Sequence, residues 1–233
     1  MAKKTKYTAS AVIVAAGDSR RMGTSVNKQL LLIDDIPVLA RTLLNFSRAS
    51  SIDSIIVVTK EENILLVNDL IREFGISKVM SIVPGGKIRQ ESVMRGLKEV
   101  KGSSFVAVHD GARPFATPEL IDRLVEDAHI YGSAAPGVLP KDTVKIVMED
   151  SFVKTTPDRD TLRLIQTPQV FSLDELKEAY DYAEKTGFIG TDDCSLIENT
   201  GKKVHISPGE YTNIKVTTPE DLPVALAICE YLK

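Results

Sequence analysis

The sequence predicts an α/β protein in which helices cover both faces of a mainly parallel, twisted sheet. Short apolar runs rich in β-branched residues alternate with amphipathic stretches of helical periodicity through the first half of the chain, a pattern typical of parallel sheets. A later stretch breaks the alternation with two short strand patterns around a turn. We therefore expect one domain over residues 1–233, with an inserted β-hairpin arm over residues 137–163.

Four apolar runs are predicted to be the strands of the parallel part of the sheet; they cover residues 11–16, 52–58, 79–83 and 105–108. A stretch of helical periodicity follows each of them. Proline in a first helical turn marks helices that begin at Pro37 and Pro118, and Gly75 ends the helix between the second and third strands. Repeated strand–helix units of this kind predict a Rossmann-like sheet, mixed where later strands join it.

The second half of the chain predicts shorter elements. The arm contains strand patterns at 143–148 and 152–155, with prolines at both bases. Ser172 with Glu175 three residues later matches a capping box at the start of a helix. The remaining predicted elements are a helix over 191–200, short strands over 204–206 and 214–216, and a last helix that begins within 218–221.

Three of the four parallel strands are predicted to end in residues suited to binding a ligand. The first runs into Gly17, the third into Gly85 and Gly86, and the fourth into His109 and Asp110. Because the carboxyl ends of parallel strands share one edge of the sheet, these residues are expected to form one site.

The loop after the first strand has the composition of a phosphate-binding turn. Gly17 allows close approach of the backbone, and successive N–H groups there can form an anion-binding concavity. Arg21 and Lys28 add positive charge. The segment is neither a Walker loop nor the G-x-G-x-x-G of dinucleotide-binding proteins. A solvated basic loop is the structural alternative.

Composition excludes several classes of function. The formal net charge is −3 and the pI is near 5.7, which argues against a nucleic-acid-binding protein, since such domains are strongly basic. The two cysteines match no zinc or redox spacing. No apolar run is long enough to span a bilayer, and the amino terminus lacks the features of a secretory signal. We expect a cytoplasmic protein with no membrane partner.

A series of motifs, in order, resembles one family of nucleotidyltransferases. The opening signature is A-A-G-D-S-R-R-M followed by Lys28-Gln29, with Asn27 where the family usually carries proline. The later motifs are V-H-D-G-A-R-P-F at 108–115, T-P-D-R at 156–159, Q-T-P-Q-V-F at 166–171, T-D-D at 191–193 and N-I-K-V-T-T-P-E-D-L at 213–222. Together they resemble the 2-C-methyl-D-erythritol 4-phosphate cytidylyltransferases.

The resemblance implies transfer of CMP from CTP to a sugar-alcohol phosphate, with release of pyrophosphate and with a divalent cation, usually Mg²⁺. The implied catalytic residues are Arg21, Lys28, Arg159 and Lys215. The implied nucleotide contacts are Ala15, Ala16, Gly17, Gly85, Gly86, Ser92 and Asp110. The implied acceptor contacts are Asp110, Arg113, Thr143, Arg159, Thr191 and Lys215, with Asp110 also the metal ligand.

Several of these residues have structural alternatives. Gly85 and Gly86 could simply form a turn, and Ser92 could bond its own helix backbone. Asp110 could be a cap, and Arg113 is either an acceptor contact or a partner of Asp110. His109 is interpreted as structural rather than catalytic, because attack by a phosphate anion needs no strong base.

The resemblance also implies a homodimer, since in this family the arm reaches across a two-fold axis and carries Thr143 and Arg159 to the neighbour's site. A solvated Arg159 is the structural alternative. Two rival functions stay open at this point. One is a cytidylyltransferase for another polyol phosphate, such as ribitol 5-phosphate. The other is a nucleotide-binding regulator that has the fold without the catalysis.

Overall fold

The computed structural model describes residues 7–17 and 31–232. Its strands are β1 (Ala9–Ala15), β2 (Leu32–Ile33), β3 (Ile36–Pro37), β4 (Ile52–Thr59), β5 (Val79–Pro84), β6 (Phe105–Asp110), β7 (Ser133–Val138), β8 (Ile146–Val147), β9 (Val153–Thr155), β10 (Leu164–Ile165), β11 (Gln169–Ser172) and β12 (His205–Pro208). Its α-helices are α1 (Val38–Arg48), α2 (Ile64–Glu73), α3 (Arg89–Glu99), α4 (Pro118–Tyr131), α5 (Leu173–Thr186), α6 (Asp193–Asn199) and α7 (Asp221–Tyr231).

Strand β1 lies beside β6, the middle strand of the main sheet. Across the described residues the strand order is β10-β7-β11-β6-β1-β4-β5, and β12 also pairs with β7. Strand β1 runs parallel to β4 and β6, with Val12 opposite Ile56 on one side and Val108 on the other. Strand β11 runs antiparallel to both β6 and β7. The prediction of a mixed, mainly parallel α/β sheet is therefore confirmed.

Helices cover both faces of this sheet because successive side chains of β1 point in opposite directions. Ile13 packs into a cluster that contains Leu43 of α1 and Leu124 of α4. Val12 packs into a second cluster, with Val93 of α3 and other residues from α5 and α6. Each fully buried aliphatic side chain of this size stabilises the fold by about 1.5–3 kcal/mol.

Three of the predictions for individual elements are wrong. Residues 214–216 form no strand; one backbone hydrogen bond, from Val216 N to Ala112 O (2.8 Å), ties this irregular segment to the loop after β6. Ser172 is the N-cap of α5, but its side chain makes no capping bond; its N–H donates to Gly132 O (3.1 Å), and Glu175 pairs with Lys202. The hairpin strands β8 and β9 are shorter than predicted.

Strand β7 was not predicted because its sequence, S-A-A-P-G-V, carries few residues that favour strands. All six residues are buried, and β7 pairs with β10, β11 and β12. Burial between neighbouring strands therefore outweighs local propensity.

The hairpin of β8 and β9 forms a two-stranded sheet of its own. Ser151 in its turn has a φ of 68°, and the large apolar side chains of Ile146, Val147, Phe152 and Val153 are exposed. The single domain over 1–233 and the arm over 137–163 stay predictions. No helix among residues 7–17 and 31–232 is long and apolar enough to cross a bilayer.

Candidate nucleotide site

A cavity of about 440 Å³ opens at the carboxyl ends of β1, β4, β5 and β6. This is the edge at which open α/β sheets bind ligands. The lining residues are Val14, Ala16, Gly17, Lys60, Gly85, Gly86, Lys87, Ile88, Arg89, Ser92, Asp110, Ala112 and Lys215. Four of these side chains are cationic and one is acidic, so the cavity suits an anion.

Asp110, the last residue of β6, is the acidic group of the cavity and lies among cations. Lys215 Nζ donates to Asp110 Oδ2 over 2.7 Å, Arg89 Nε lies 3.4 Å from Oδ1, and Arg113 Nε lies 3.8 Å from Oδ2. Burial alone would raise the pKa of this carboxyl group. Lys215 and Arg89 outweigh burial and hold the pKa below its usual range. Asp110 is therefore ionised.

A chain of buried hydrogen bonds fixes the backbone around Asp110. Its N–H donates to Thr167 Oγ1 (3.1 Å), and the Thr167 hydroxyl lies 3.0 Å from His109 Nδ1. His109 Nε2 lies 3.1 Å from the carbonyl oxygen of Arg113, so the proton is assigned to Nε2. Burial lowers the pKa of His109 to about 3. The ring is therefore neutral, and its geometry supports the structural interpretation.

The segment that carries Lys215 is anchored by Asn213. The Asn213 amide donates to Thr167 O (2.9 Å), and Arg113 Nη1 donates to Asn213 O (2.8 Å). This segment forms no strand, so no ladder of backbone bonds fixes it. The bonds of Asn213 and the bond from Val216 N to Ala112 O hold Lys215 beside Asp110 instead. The Asp110 carboxylate supplies an anionic partner for Lys215 within the chain.

The glycine turn after β5 is required by contacts within the protein. A Cβ on Gly85 would lie 2.3 Å from Ala16 Cβ, and one on Gly86 would lie 2.3 Å from Glu91 Cβ. Ser92 Oγ accepts from Gly86 N (3.0 Å) and donates to Ile88 O (3.1 Å). Close packing of the turn on β1 and α3 thus explains both glycines without a ligand.

Arg89, the first residue of α3, is a cavity residue that the sequence did not single out. Its Nη2 donates to Asp193 Oδ2 over 2.7 Å, and the Tyr180 hydroxyl donates to Asp193 Oδ1 over 2.6 Å. Burial alone would lower the pKa of Arg89, but Asp193 and Asp110 raise it above its usual value. Lys60 and Lys87 were also missed. A usable signal was present for these two lysines, since Lys60 directly follows β4 and Lys87 directly follows the glycine turn.

One family of known proteins matches nearly the whole chain. The family model of 2-C-methyl-D-erythritol 4-phosphate cytidylyltransferase matches residues 9–231. The chain belongs to this family. A cytidylyltransferase of that name from Clostridium botulinum (strain Langeland) is 46% identical over 224 residues, covering 96% of this chain and 98% of the relative. One from Geobacter metallireducens is 43% identical over 222 residues, covering 93% and 95%.

Solved structures of cytidylyltransferases of this family share the fold. The 4-diphosphocytidyl-2C-methyl-D-erythritol synthase of Anaerococcus prevotii is 33% identical with a TM-score of 0.86, covering 96% of this chain and 99% of that chain. The Thermus thermophilus cytidylyltransferase is 30% identical with a TM-score of 0.77, covering 96% and 99%.

The structure brings together some of the predicted site residues of this cytidylyltransferase. Those that line the cavity are Ala16, Gly17, Gly85, Gly86, Ser92, Asp110 and Lys215. Arg113 contacts Asp110, as one of its two interpretations required. Ala15 is buried within β1 and does not line the cavity, and neither do Thr143, Arg159 and Thr191. Arg21 and Lys28 lie outside the described residues.

Asp110 is the candidate ligand for a divalent cation. Within residues 7–17 and 31–232, no group of three or more His, Cys, Asp or Glu side chains could hold a metal ion. Mg²⁺ commonly binds through one or two carboxylates together with substrate phosphates and water. An ionised carboxylate in a cationic cavity therefore fits a cation that arrives with a nucleotide, and not one held by protein ligands alone.

Proposed function

We propose that the chain transfers CMP from CTP to 2-C-methyl-D-erythritol 4-phosphate, giving 4-diphosphocytidyl-2-C-methyl-D-erythritol and pyrophosphate. The observation that carries this proposal is Asp110, ionised at a strand end and surrounded by Lys215, Arg89 and Arg113. The family to which the chain belongs supports the identity of both substrates.

In the proposed reaction an oxygen of the acceptor phosphate attacks the α-phosphorus of CTP in line with the departing pyrophosphate. A new P–O bond forms as the bond from the α-phosphorus to the bridging oxygen of the β-phosphate breaks. Such reactions depend on positioning and on neutralising charge, because the attacking oxygen is already an anion. Lys215 supplies a fixed cation for the acceptor phosphate, and Arg21 and Lys28 are proposed to do so at the triphosphate.

The nucleotide is proposed to bind at the turn after β5 and at the end of β1. Gly17, Gly86 and Ala16 line that part of the cavity, and the base and ribose would lie against their backbone. Asp110 would hold the divalent cation, whose charge neutralises the phosphates when it is bound. Ser92 supports this site by fixing the Gly86 N–H.

We also propose that the arm over residues 137–163 joins two chains and completes the partner's site. Arg159 Nη2 lies 3.5 Å from Thr143 Oγ1, and both side chains are exposed. Neither side chain lines the cavity of its own chain. The exposed apolar residues of β8 and β9 supply surface for a partner chain. Thr191, which is also exposed, is proposed to contact the acceptor.

A coupled assay of pyrophosphate release decides among the candidate functions. The purified protein is given CTP and Mg²⁺ with 2-C-methyl-D-erythritol 4-phosphate or with ribitol 5-phosphate, and the product is identified by mass. Turnover with the erythritol phosphate is expected. Turnover confined to ribitol 5-phosphate would replace the proposed acceptor, and CTP binding without turnover on either acceptor would favour the regulator.

A further inference from the structure

Asp193 is the first residue of α6, and its buried carboxylate does not cap that helix. Its side chain is 0% exposed, although Asp192, the residue before it, is the N-cap of α6 and accepts from Ser195 N (2.9 Å). A buried carboxylate is costly unless it is paired and hydrogen-bonded. The partners of this carboxylate are Tyr180 and Arg89.

Arg89 lies between two carboxylates at unequal distances. Its Nη2 is 2.7 Å from Asp193 Oδ2, which is typical of a charge-assisted hydrogen bond. Its Nε is 3.4 Å from Asp110 Oδ1, at the long limit for such a bond. Asp193 therefore holds the guanidinium group, and Asp110 is only loosely engaged by it.

The two oxygens of Asp110 consequently differ. Oδ2 accepts a short bond from the Lys215 ammonium group, 2.7 Å away. The cation that pairs with Oδ1 is Arg89, whose Nε lies 3.4 Å away. Asp110 also lines the cavity. Oδ1 is thus the oxygen better able to accept a new partner.

We propose that Asp193 is a positioning residue, which holds Arg89 back from Asp110 and so keeps Oδ1 accessible to the nucleotide and its cation. Tyr180 supports it by fixing the second oxygen of the Asp193 carboxylate. The proposal rests on the proposed role of Asp110 in binding the nucleotide with its cation. Neither Asp193 nor Tyr180 lines the cavity, so both act through Arg89.

The physical consequence of losing the Asp193 charge follows from the distances. Arg89 would then retain Asp110 as its anionic partner in the cavity and would shorten the approach to Oδ1. Both oxygens of Asp110 would be engaged, and a ligand would have to break a partly buried ion pair to reach either. Loss of a residue that orients a ligand-binding group commonly costs about 10–100-fold in affinity.

The test measures CTP affinity by calorimetry with Mg²⁺ present and the acceptor absent, so that no turnover occurs. Asp193→Asn removes the charge and keeps the shape, and we expect affinity to fall by about 10-fold or more. Asp181→Asn is the matched control, because Asp181 is an exposed carboxylate on α5. Affinity of Asp193→Asn equal to that of the control overturns the proposal.

A double-mutant comparison separates positioning from loss of structure. Arg89→Gln removes the guanidinium group that Asp193 holds, so adding Asp193→Asn to Arg89→Gln should weaken CTP binding no further. A fall in affinity from Arg89→Gln to the double variant as large as the fall from the parent to Asp193→Asn overturns the proposal. Steady-state kinetics should show the loss in KM for CTP more than in kcat at saturating CTP.

Tyr180→Phe keeps the test decisive if Asp193→Asn does not fold. It removes one hydrogen bond to Asp193 and should weaken CTP binding in the same direction by a smaller factor. Tyr182→Phe, an exposed tyrosine on the same helix, is its control, and equal affinity of the two overturns the proposal.

Asp110→Asn separates failure of this inference from failure of the proposed site. If that variant binds CTP with Mg²⁺ as tightly as the parent, the role of Asp110 is wrong and the inference falls with it. If Asp110→Asn binds weakly while Asp193→Asn binds like the parent, the site stands and the inference alone is overturned.

Discussion

The Lys215 ammonium group lies 2.7 Å from the Asp110 carboxylate. This ion pair links the irregular segment before α7 to the end of the central strand β6. The Lys215 side chain is 37% exposed, whereas that of Asp110 is 12% exposed. The lysine is therefore the accessible member of the pair. Lys215 can therefore contact an incoming phosphate while Asp110 stays mostly buried.

Replacing Lys215 should reduce turnover much more than stability. Lys215→Met keeps the aliphatic stem and removes the charge, and we expect kcat to fall by about 10²–10³, as for loss of other fixed groups that stabilise developing charge. Asp110 would retain Arg89 and Arg113 as partners, so the fold should persist. Pyrophosphate release and circular dichroism check the two expectations.

Lys202→Met is the control for this substitution. Lys202 pairs with Glu175 and Glu178 on the surface, and exposed pairs of this kind contribute about 0–1 kcal/mol. Its turnover should match that of the parent. Turnover of Lys215→Met near the parent value would remove Lys215 from the proposed mechanism.

His109 should make the protein less stable as the pH falls. Burial lowers its native pKa to about 3, whereas an unfolded histidine titrates near about 6.5. Between these values the unfolded chain binds the additional proton, so this contribution is present above the unfolded pKa and is lost as the pH falls towards the native one. The slope approaches about 1.4 kcal/mol per pH unit.

His109→Gln tests this linkage. Urea unfolding is measured at several pH values from about 7 to 4. The free energy of unfolding should fall less steeply for the variant than for the parent, by up to about 1.4 kcal/mol per pH unit, the slope for one proton. His129, whose pKa burial also lowers, contributes to both curves and cancels in the comparison. Parallel curves would mean that the native pKa of His109 is not lowered from that of the unfolded chain.

The central strands and their helices could be predicted because local and tertiary preferences agree there. The apolar run at residues 11–16 contains the β-branched residues Val12, Ile13 and Val14. The strand that it predicts, β1, is buried on both faces of the sheet. Strand β7 could not be predicted, since its small residues become a strand through burial between neighbours. The pattern around Lys215 suggested a strand, but the backbone N–H groups of Ile214 and Val216 donate to Thr212 O and Ala112 O, and not to a neighbouring strand.

The candidate site was predictable where it follows from the edge of the sheet. Asp110 and the glycine turn after β5 lie at strand ends, which places them together in any parallel sheet. Arg89 and Asp193 were not predictable in this way. Their pairing depends on how α6 packs beside α3 and α5, and sequence periodicity does not report that contact.

Shared sites in a dimer should be detectable by mixing two inactive variants. If the arm completes the partner's site, a heterodimer of Arg159→Ala and Lys215→Ala protomers contains one site with both residues intact. Each variant alone should lack turnover, and verified heterodimers should regain it. Heterodimers that stay inactive would indicate that Arg159 acts within its own chain or not at all.

Gly85→Ala should destabilise the protein through a contact that can be relieved. The added Cβ would lie 2.3 Å from Ala16 Cβ and 3.0 Å from Ser92 Oγ, and overpacking of this kind costs about 1–3 kcal/mol. Ala16→Gly removes the closer obstacle. In urea unfolding the double variant should therefore be more stable than the sum of the two single effects predicts, by a coupling of about 0.5–3 kcal/mol. Strictly additive free energies would show that the turn after β5 moves away from β1 and does not depend on Gly85 for its close packing.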